Sequence, residues 1–210
     1  MNKSAILMFG AGGHASVLAD ILMKQGLPLT AVFSPQSIQR QALIGITHYK
    51  DDQDVTLFNP EDCQVVIGIG PQPYGDSRSK LASNLQSRGY RFATVIADSA
   101  EVSTYASVQL GGQVLSGAII NAGAHIEQHV VVNTRAVVEH DCKVASFSHI
   151  APGAVLLGGA EIGPYAYIGA GATVLPSVKV GAGAVVGAGA LVDRNVESNA
   201  VVYGARAKQK

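Results

Sequence analysis

The chain has 210 residues, enough for one large domain or two small ones. Only 14% of them are charged, the formal net charge is zero and no long run of one sign occurs, which argues against nucleic acid or an acidic membrane surface as a partner. Hydrophobic residues make up 48%, so a sizeable core is available, and so little charge suggests that part of the surface is covered in an oligomer.

Near the start, Lys3 precedes an apolar run at residues 5–9 that is too short for a signal segment, and no stretch of eighteen apolar residues follows anywhere. The cytoplasm is therefore the expected compartment, without membrane insertion. Cys63 and Cys142 form neither a metal-binding nor a disulfide spacing and read as small reduced residues. The run 5–9 itself reads as a buried strand. Gly10-Ala11-Gly12-Gly13-His14 is a turn, in which the glycines let the backbone bend tightly. Residues 16–24 follow as a helix with Val17, Leu18, Ile21 and Leu22 on one face. Residues 31–33 predict a second strand and 65–69 a third, closed by Gly70-Pro71. A helix over 77–88, capped by Ser77 and ended by Gly89, leads to a strand over 92–96. His48 lies in an unpatterned segment. Strand, glycine turn, helix and strand in this order predict a small parallel α/β sheet of Rossmann-like type.

From Ile96 the rhythm becomes six. An aliphatic residue stands at every sixth position through Val192, seventeen in all without a miss. Four residues after each comes a small or short one, from Ala100 to Val196. Neither the helical period of 3.6 nor the strand period of 2 fits this pattern, and a hexapeptide repeat predicts a parallel β-helix. Three hexapeptides make a triangular coil, and coils stack at strand spacing, about 4.8 Å. Each aliphatic side chain then points inward onto its counterpart eighteen residues later, the small residue fits near a corner, and glycines such as Gly163, Gly169, Gly181 and Gly187 ease the turns. The flat sides of such a prism suit packing against other prisms, and a threefold axis would bury them.

Six histidines occur, four of them in the prism: His125, His129, His140 and His149. None occupies an inward slot, so all four are expected to point outward, into solvent or under a neighbouring subunit. His140 is the leading catalytic candidate because it stands between carboxylates, in Glu139-His140-Asp141. A carboxylate bonded to one imidazole nitrogen fixes the tautomer and leaves the other as a base. His149 lies half a coil on and projects from another side. It reads as a residue that shares a site with His140 across neighbouring chains, or as a plain surface histidine. His125 and His129 read as interface or solvent residues. At the first turn the helix N-terminus suits a phosphate. The dinucleotide fingerprint is incomplete, since Ala15 takes the third glycine's place and Phe33-Ser34-Pro35 offers no acidic residue after the second strand.

Together, Phe9-Gly10-Ala11-Gly12-Gly13-His14-Ala15, Val66-Ile67-Gly68-Ile69-Gly70, Asn133-Thr134-Arg135, Glu139-His140-Asp141, Ser148-His149-Ile150-Ala151-Pro152-Gly153 and Val202-Tyr203-Gly204 resemble one family over nearly the whole chain. It is the sugar O-/N-acyltransferases, which include sialic acid O-acetyltransferases and the bacillosamine-pathway (PglD-like) acetyltransferases acting on nucleotide-linked amino sugars. The resemblance implies an N-terminal sugar-nucleotide (acceptor) domain over 1–95, a left-handed β-helix acyltransferase domain over 96–197 and a C-terminal tail over 198–210. It further implies a homotrimer with active sites between prisms. By resemblance, His140 is the general base and Asp141 its orienting acid, and His149 lies at the acetyl-CoA thioester. Gly158, Ala170 and Ala188 line the rest of the acetyl-CoA site; Gly12, Gly13, His14, Gly68, Ile69 and Gly70 contact the acceptor; no metal is expected. The implied reaction is direct acetyl transfer to an amine of a nucleotide-linked sugar in surface-glycan biosynthesis. The alternatives are O-acetylation of sialic acid or a polysaccharide precursor, and a non-catalytic β-helix scaffold.

Overall fold

A computed structural model describes residues 4–204, so residues 205–210 of the expected tail lie outside the described residues. The chain divides into two compact units, one drawn from Met1–Pro71 and Gly75–Val95, the other from Gln72–Tyr74 and Ile96–Lys210.

The first unit is built on a parallel sheet of five strands in the order β3-β2-β1-β4-β5, where β1 is Ala5–Phe9, β2 Leu29–Phe33, β3 Thr47–Tyr49, β4 Cys63–Ile67 and β5 Arg91–Phe92. Parallel strands covered on both faces read as unbroken apolar runs, which is why Ile6, Leu7, Met8 and Phe9 are all buried. Register brings Phe9, Phe33 and Tyr49 side by side on neighbouring strands. Their rings stack in sequence, Phe9 on Phe33 at 4.6 Å and Phe33 on Tyr49 at 5.1 Å. β3 carries His48, whose Nε2 lies 2.9 Å from the Ser34 carbonyl. This strand has only three residues and alternates no clear pattern, so periodicity did not reveal it.

Helix α1 spans Gly13–Lys24 and begins three residues before the expected start, because Gly12 in extended conformation already caps it. It buries Ala15, Leu18, Ala19, Ile21 and Leu22, while Val17, expected on that face, is 40% exposed. Val17 lies beside the buried stripe, since one step around a helix turns the side chain by about 100°. Helix α2 is Ser77–Ser87; Asp76, not Ser77, occupies the N-cap position, and no side-chain hydrogen bond is made there. The third predicted strand ends at Ile67 and leaves residues 68–70 as a loop. The predicted strand 92–96 breaks in two, since Val95–Ile96 pairs into a different sheet from Arg91–Phe92.

The second unit is the hexapeptide prism. Its two-residue strands form three parallel ladders of six, five and seven strands. Each step along a ladder advances eighteen residues, as in Ile120↔Val138 and Val138↔Leu156, until the last, Val186↔Val202, which advances sixteen. The aliphatic positions from Val114 through Val174 are almost wholly buried, with the small residues Ala118, Ala124, Ala136, Cys142 and Ala154 between them. Corners are tight turns closed by a backbone bond three residues long, for example Ala136 N to Asn133 O at 3.0 Å. From Gly111 through Gly189 the third residue of each such turn takes a positive φ, as Arg135 does at +55°. The glycines expected to ease these turns do something else. Gly163 and Gly169 have no positive φ; a Cβ on either would come within 2.6 Å of backbone in the next coil. They permit close stacking of coils, and the turning falls to the residue two places later, Tyr165 and Gly171.

Candidate active site

His140 and Asp141 share one corner of the prism. Asp141 takes the left-handed conformation at φ +59°, which a short polar side chain tolerates better than most. Its Oδ2 accepts from His140 Nδ1 at 2.9 Å. The other flanking carboxylate is directed elsewhere: Glu139 accepts from Asn121 Nδ2, one coil away, at 2.9 Å. Glycines make room for both members of the pair. Asp141 leans over Gly123 in one neighbouring coil, where a Cβ would collide with its Oδ1. His140 lies over Gly158 in the other, where a Cβ would fall 2.5 Å from Nε2. The side chains are 65% and 74% exposed, so the pair adds little to stability in water. What it supplies is orientation: Nδ1 is committed to the carboxylate, and Nε2 is turned to the open edge above Gly158.

His149 belongs to another ladder, paired with Val131 on one side and Tyr167 on the other. Its side chain points away from the prism axis, as expected, but not into solvent: the residue is only 5% exposed. Tyr167 covers it edge-on, with ring centroids 4.8 Å apart. Asn133 Nδ2 lies 3.0 Å from its Nε2. Because Asn133 Oδ1 already accepts from Thr134 N–H at 2.8 Å, the amide presents its NH2 to the imidazole. Nε2 of His149 is thereby the acceptor. His129 corrects the expectation in the same way. It is 4% exposed and stacks on Phe147 at 4.7 Å, which in turn stacks on Tyr165 at 5.4 Å. Side chains one coil up and down on the same face bury outward residues within a single chain. His125 remains half-buried, with Nδ1 2.6 Å from Ser107 Oγ.

The remaining candidate acyl-donor residues fall on two edges. Gly158 shares the corner of His140, and its carbonyl accepts from Ser177 N at 3.0 Å. Ala170 and Ala188 stand eighteen residues apart on a different corner, both exposed, with Ala170 O accepting from Gly189 N at 2.8 Å. One prism does not bring the two edges together.

In the α/β unit, the candidate acceptor residues gather at the carboxyl ends of β1 and β4, the adjacent central strands at which the sheet order reverses. Crevices at such switch points are where open α/β sheets bind ligands. Gly10 has φ +106°, and a Cβ there would lie 2.9 Å from the Gly68 backbone. Gly68 N donates to Phe9 O at 2.7 Å, tying the two loops together. Gly12 and Gly13 do not make the bend, contrary to expectation. Gly12 has φ −83°, and open space surrounds the place of its missing side chain. Their effect is to leave the amino end of α1 without side chains of its own, with Arg40 Nη2 4.0 Å from where a Gly13 Cβ would sit. His14 closes one side, its Cβ 3.4 Å from where a Gly70 Cβ would sit. Among the described residues, no group of three or more His, Cys, Asp or Glu is placed to hold a metal. No described helix is long and apolar enough to cross a membrane.

Sequence reasoning assigned no role to Asn133, Asn121 or Arg78. For the two asparagines a signal existed in the repeat: each stands just past an inward aliphatic residue, a position that faces outward beside the next coil. Arg78 carried none, because burial of an arginine cannot be read from one helical turn.

A parallel α/β sheet joined in sequence to a hexapeptide prism, with a histidine–aspartate pair on a prism corner, defines a class of two-part acyltransferase architecture. Comparison with known proteins shows what the chain is similar to. Residues 5–85 match the PglD N-terminal domain, and residues 159–194 match the bacterial transferase hexapeptide (six repeats). Among solved structures, the acetyltransferase domain of PglB from Neisseria gonorrhoeae FA1090 is 28% identical, with a TM-score of 0.88 over 96% of this chain and 97% of that one. PerB from Caulobacter crescentus, solved with CoA and GDP-perosamine, is 29% identical, with a TM-score of 0.86 over 95% and 94%. WeeI from Acinetobacter baumannii AYE, 23% identical over 95% and 96% with a TM-score of 0.84, shares the fold. A match to the PglD N-terminal domain followed by a match to transferase hexapeptides is the arrangement that the sequence resemblance implies.

Proposed function

We propose that this chain, an acyltransferase, transfers the acetyl group of acetyl-CoA to the amine of a nucleotide-linked amino sugar, with His140 as general base. The observation that carries the reading is the His140–Asp141 pair at 2.9 Å, with Nε2 left facing outward over Gly158. Its relatives support the donor and the acceptor class. The PglB domain was solved with acetyl-CoA, and the perosamine N-acetyltransferase with CoA and GDP-perosamine, including forms in which a histidine is replaced by asparagine or alanine.

His140 Nδ1–H donates to Asp141, so Nε2 takes the proton from the sugar amine as its nitrogen attacks the thioester carbonyl. The C–N bond forms and the C–S bond breaks. The leaving thiolate then receives the proton from His140, and no covalent enzyme intermediate intervenes. His149, held by Asn133, orients the thioester end of the donor, with Gly158, Ala170 and Ala188 along the donor's length. Since Gly158 and Ala170 stand on different corners, the donor lies between prisms of a homotrimer. The sheet face beside His140 offers Ile119, Val137, Val155 and Leu191 for that contact. Gly12, Gly13, His14 and the loop of Gly68, Ile69 and Gly70 contact the acceptor. Residues 1–95 thus serve the acceptor, 96–197 the transfer, and the enzyme works in the cytoplasm on precursors of surface glycans.

The test is CoA release from acetyl-CoA with a panel of UDP-, GDP- and dTDP-linked amino sugars, beside sialic acid. Turnover on an amino sugar nucleotide that His140→Ala abolishes, with the oligomer intact, is the expected result. Turnover on sialic acid alone would make this an O-acetyltransferase. Absence of acetyl-CoA binding by calorimetry would leave a scaffold.

A further inference from the structure

Arg78 lies in the first turn of α2 and is 6% exposed, the one arginine among the buried residues described. An arginine buried for packing alone would be a poor choice, since removing a guanidinium from water costs several kcal/mol and an apolar side chain of similar size would fit without that cost. Burial pushes its pKa down to about 10, so it remains a cation at neutral pH. Its Nη1 donates to the carbonyls of Ile69, at 2.6 Å, and Ile67, at 3.3 Å. These carbonyls flank Gly68, at the end of β4, in the loop proposed to meet the acceptor.

The planarity of the peptide gives this grip a direction. In a trans peptide the C=O and N–H point opposite ways. With Ile67 O drawn to Arg78, the Gly68 N–H faces away from it and donates to Phe9 O at 2.7 Å, locking the loop to the end of β1. With Ile69 O drawn to the same guanidinium, the Gly70 N–H is likewise turned away from Arg78. Gly70 is the residue that packs against His14 in the first turn of α1. The loop therefore presents an amide beside the amino end of α1, where Arg40 also stands, with a fixed positive charge behind it.

We propose that Arg78 is a positioning residue for the acceptor: by holding the Ile67 and Ile69 carbonyls it sets the Gly68 to Gly70 loop to receive the diphosphate of a sugar nucleotide. This rests on the sugar-nucleotide reading of the same site. Arg78 touches neither reacting atom, so its effect falls on acceptor binding and not on the acetyl donor.

The experiment compares wild type, Arg78→Met and Arg78→Lys on the nucleotide-linked amino sugar that wild type turns over, and on the same amino sugar without its nucleotide diphosphate. With the full acceptor, both variants raise KM roughly tenfold or more, since charge-assisted hydrogen bonds are lost. Arg78→Lys falls short of wild type because its shorter side chain does not carry the ammonium to the place of Nη1, which holds both carbonyls. The KM for acetyl-CoA and the rate on the diphosphate-free sugar stay within about twofold, the scatter expected of a remote site. Equal losses on both acceptors, or a matching rise in the acetyl-CoA KM, would show a merely structural arginine and overturn the proposal. So would an unchanged KM for the full acceptor. Should Arg78→Met fail to fold, Arg78→Lys carries the same comparison; should both fail, the arginine is structural and the proposal is lost. UDP and GDP titrated into intact wild type and Arg78→Lys give a second readout, with weaker nucleotide binding expected in the variant. Failure of the underlying reading looks different, because wild type would then turn over no sugar nucleotide at all.

Discussion

The two units solve the problem of a buried core in opposite ways. In the prism, each coil touches only its neighbours, and one rule repeated every six residues settles the interior: aliphatic in, small at the corner, positive φ between them. In the α/β unit, residues distant in sequence meet once and without repetition, as Phe9, Phe33, Tyr49 and Phe58 do on one face of the sheet. Repetition makes the prism legible and tolerant in its outward positions, where the proposed chemistry stands. Singularity makes the α/β unit harder to read, and it concentrates stability in a few large side chains.

The contrast can be tested, beginning with the largest effect. His140→Ala should lower turnover by about 10²- to 10⁴-fold, the range for loss of a general base. Its melting temperature should barely move, because the side chain is 65% exposed and outside the core. A comparable loss of stability would mean that outward prism positions are not free to carry chemistry. Phe33→Ala should destabilise by about 3–5 kcal/mol, as large aromatic truncations do. Phe33 is fully buried and packs on three other rings. Two-probe thermal unfolding should show the α/β unit melting earlier, with the prism's transition in place.

Gly169→Ala should cost about 1–3 kcal/mol, the range for overpacking. Its Cβ would stand 2.6 Å from backbone atoms of the adjoining coil, so the coils must part. Here the prism's transition should shift, measured by denaturant unfolding, while that of the α/β unit stays. An unshifted prism would mean that those glycines are not needed for stacking.

The smallest effect is electrostatic. Glu161 bridges Lys179 at 3.0 Å and Lys143 at 3.3 Å on the charged face of the prism. Hydrogen bonds from Lys179 and then Lys143 hold its carboxyl below the usual carboxylate range. A folded pKa below the unfolded one makes this contribution fully present above the unfolded value near 4.5, and it fades as pH falls through the lower folded value. Glu161→Gln should therefore lower the melting temperature slightly at neutral pH and low salt. The difference should vanish in acid and shrink in high salt, as read by scanning calorimetry.

Much of this molecule was legible beforehand for a physical reason. A period of six over seventeen repeats admits one packing, so the ladders, the inward residues and the outward projection of His140 all came from spacing. The glycine turn after an apolar run likewise marked the end of β1 and the start of α1, apart from the exact cap. That His140 stands beside a carboxylate was readable because Glu139 and Asp141 flank it in sequence. His149 was read as outward and so as open to solvent or a neighbouring subunit, because the hexapeptide says which way a side chain points but not what stands one coil above it. Tyr167 and Asn133 decided its burial.

What the sequence by itself determined, then, is what local period governs: the β-helix, the strands and helices before it apart from β3, and which prism residues face out. Tertiary structure alone decided which outward residues are covered, that Asp141 rather than Glu139 pairs with His140, and that Arg78 turns inward to grip the loop after β4. Those outcomes depend on contacts made across coils, or from a helix back to the loop before it, and no local pattern encodes a meeting that happens only once.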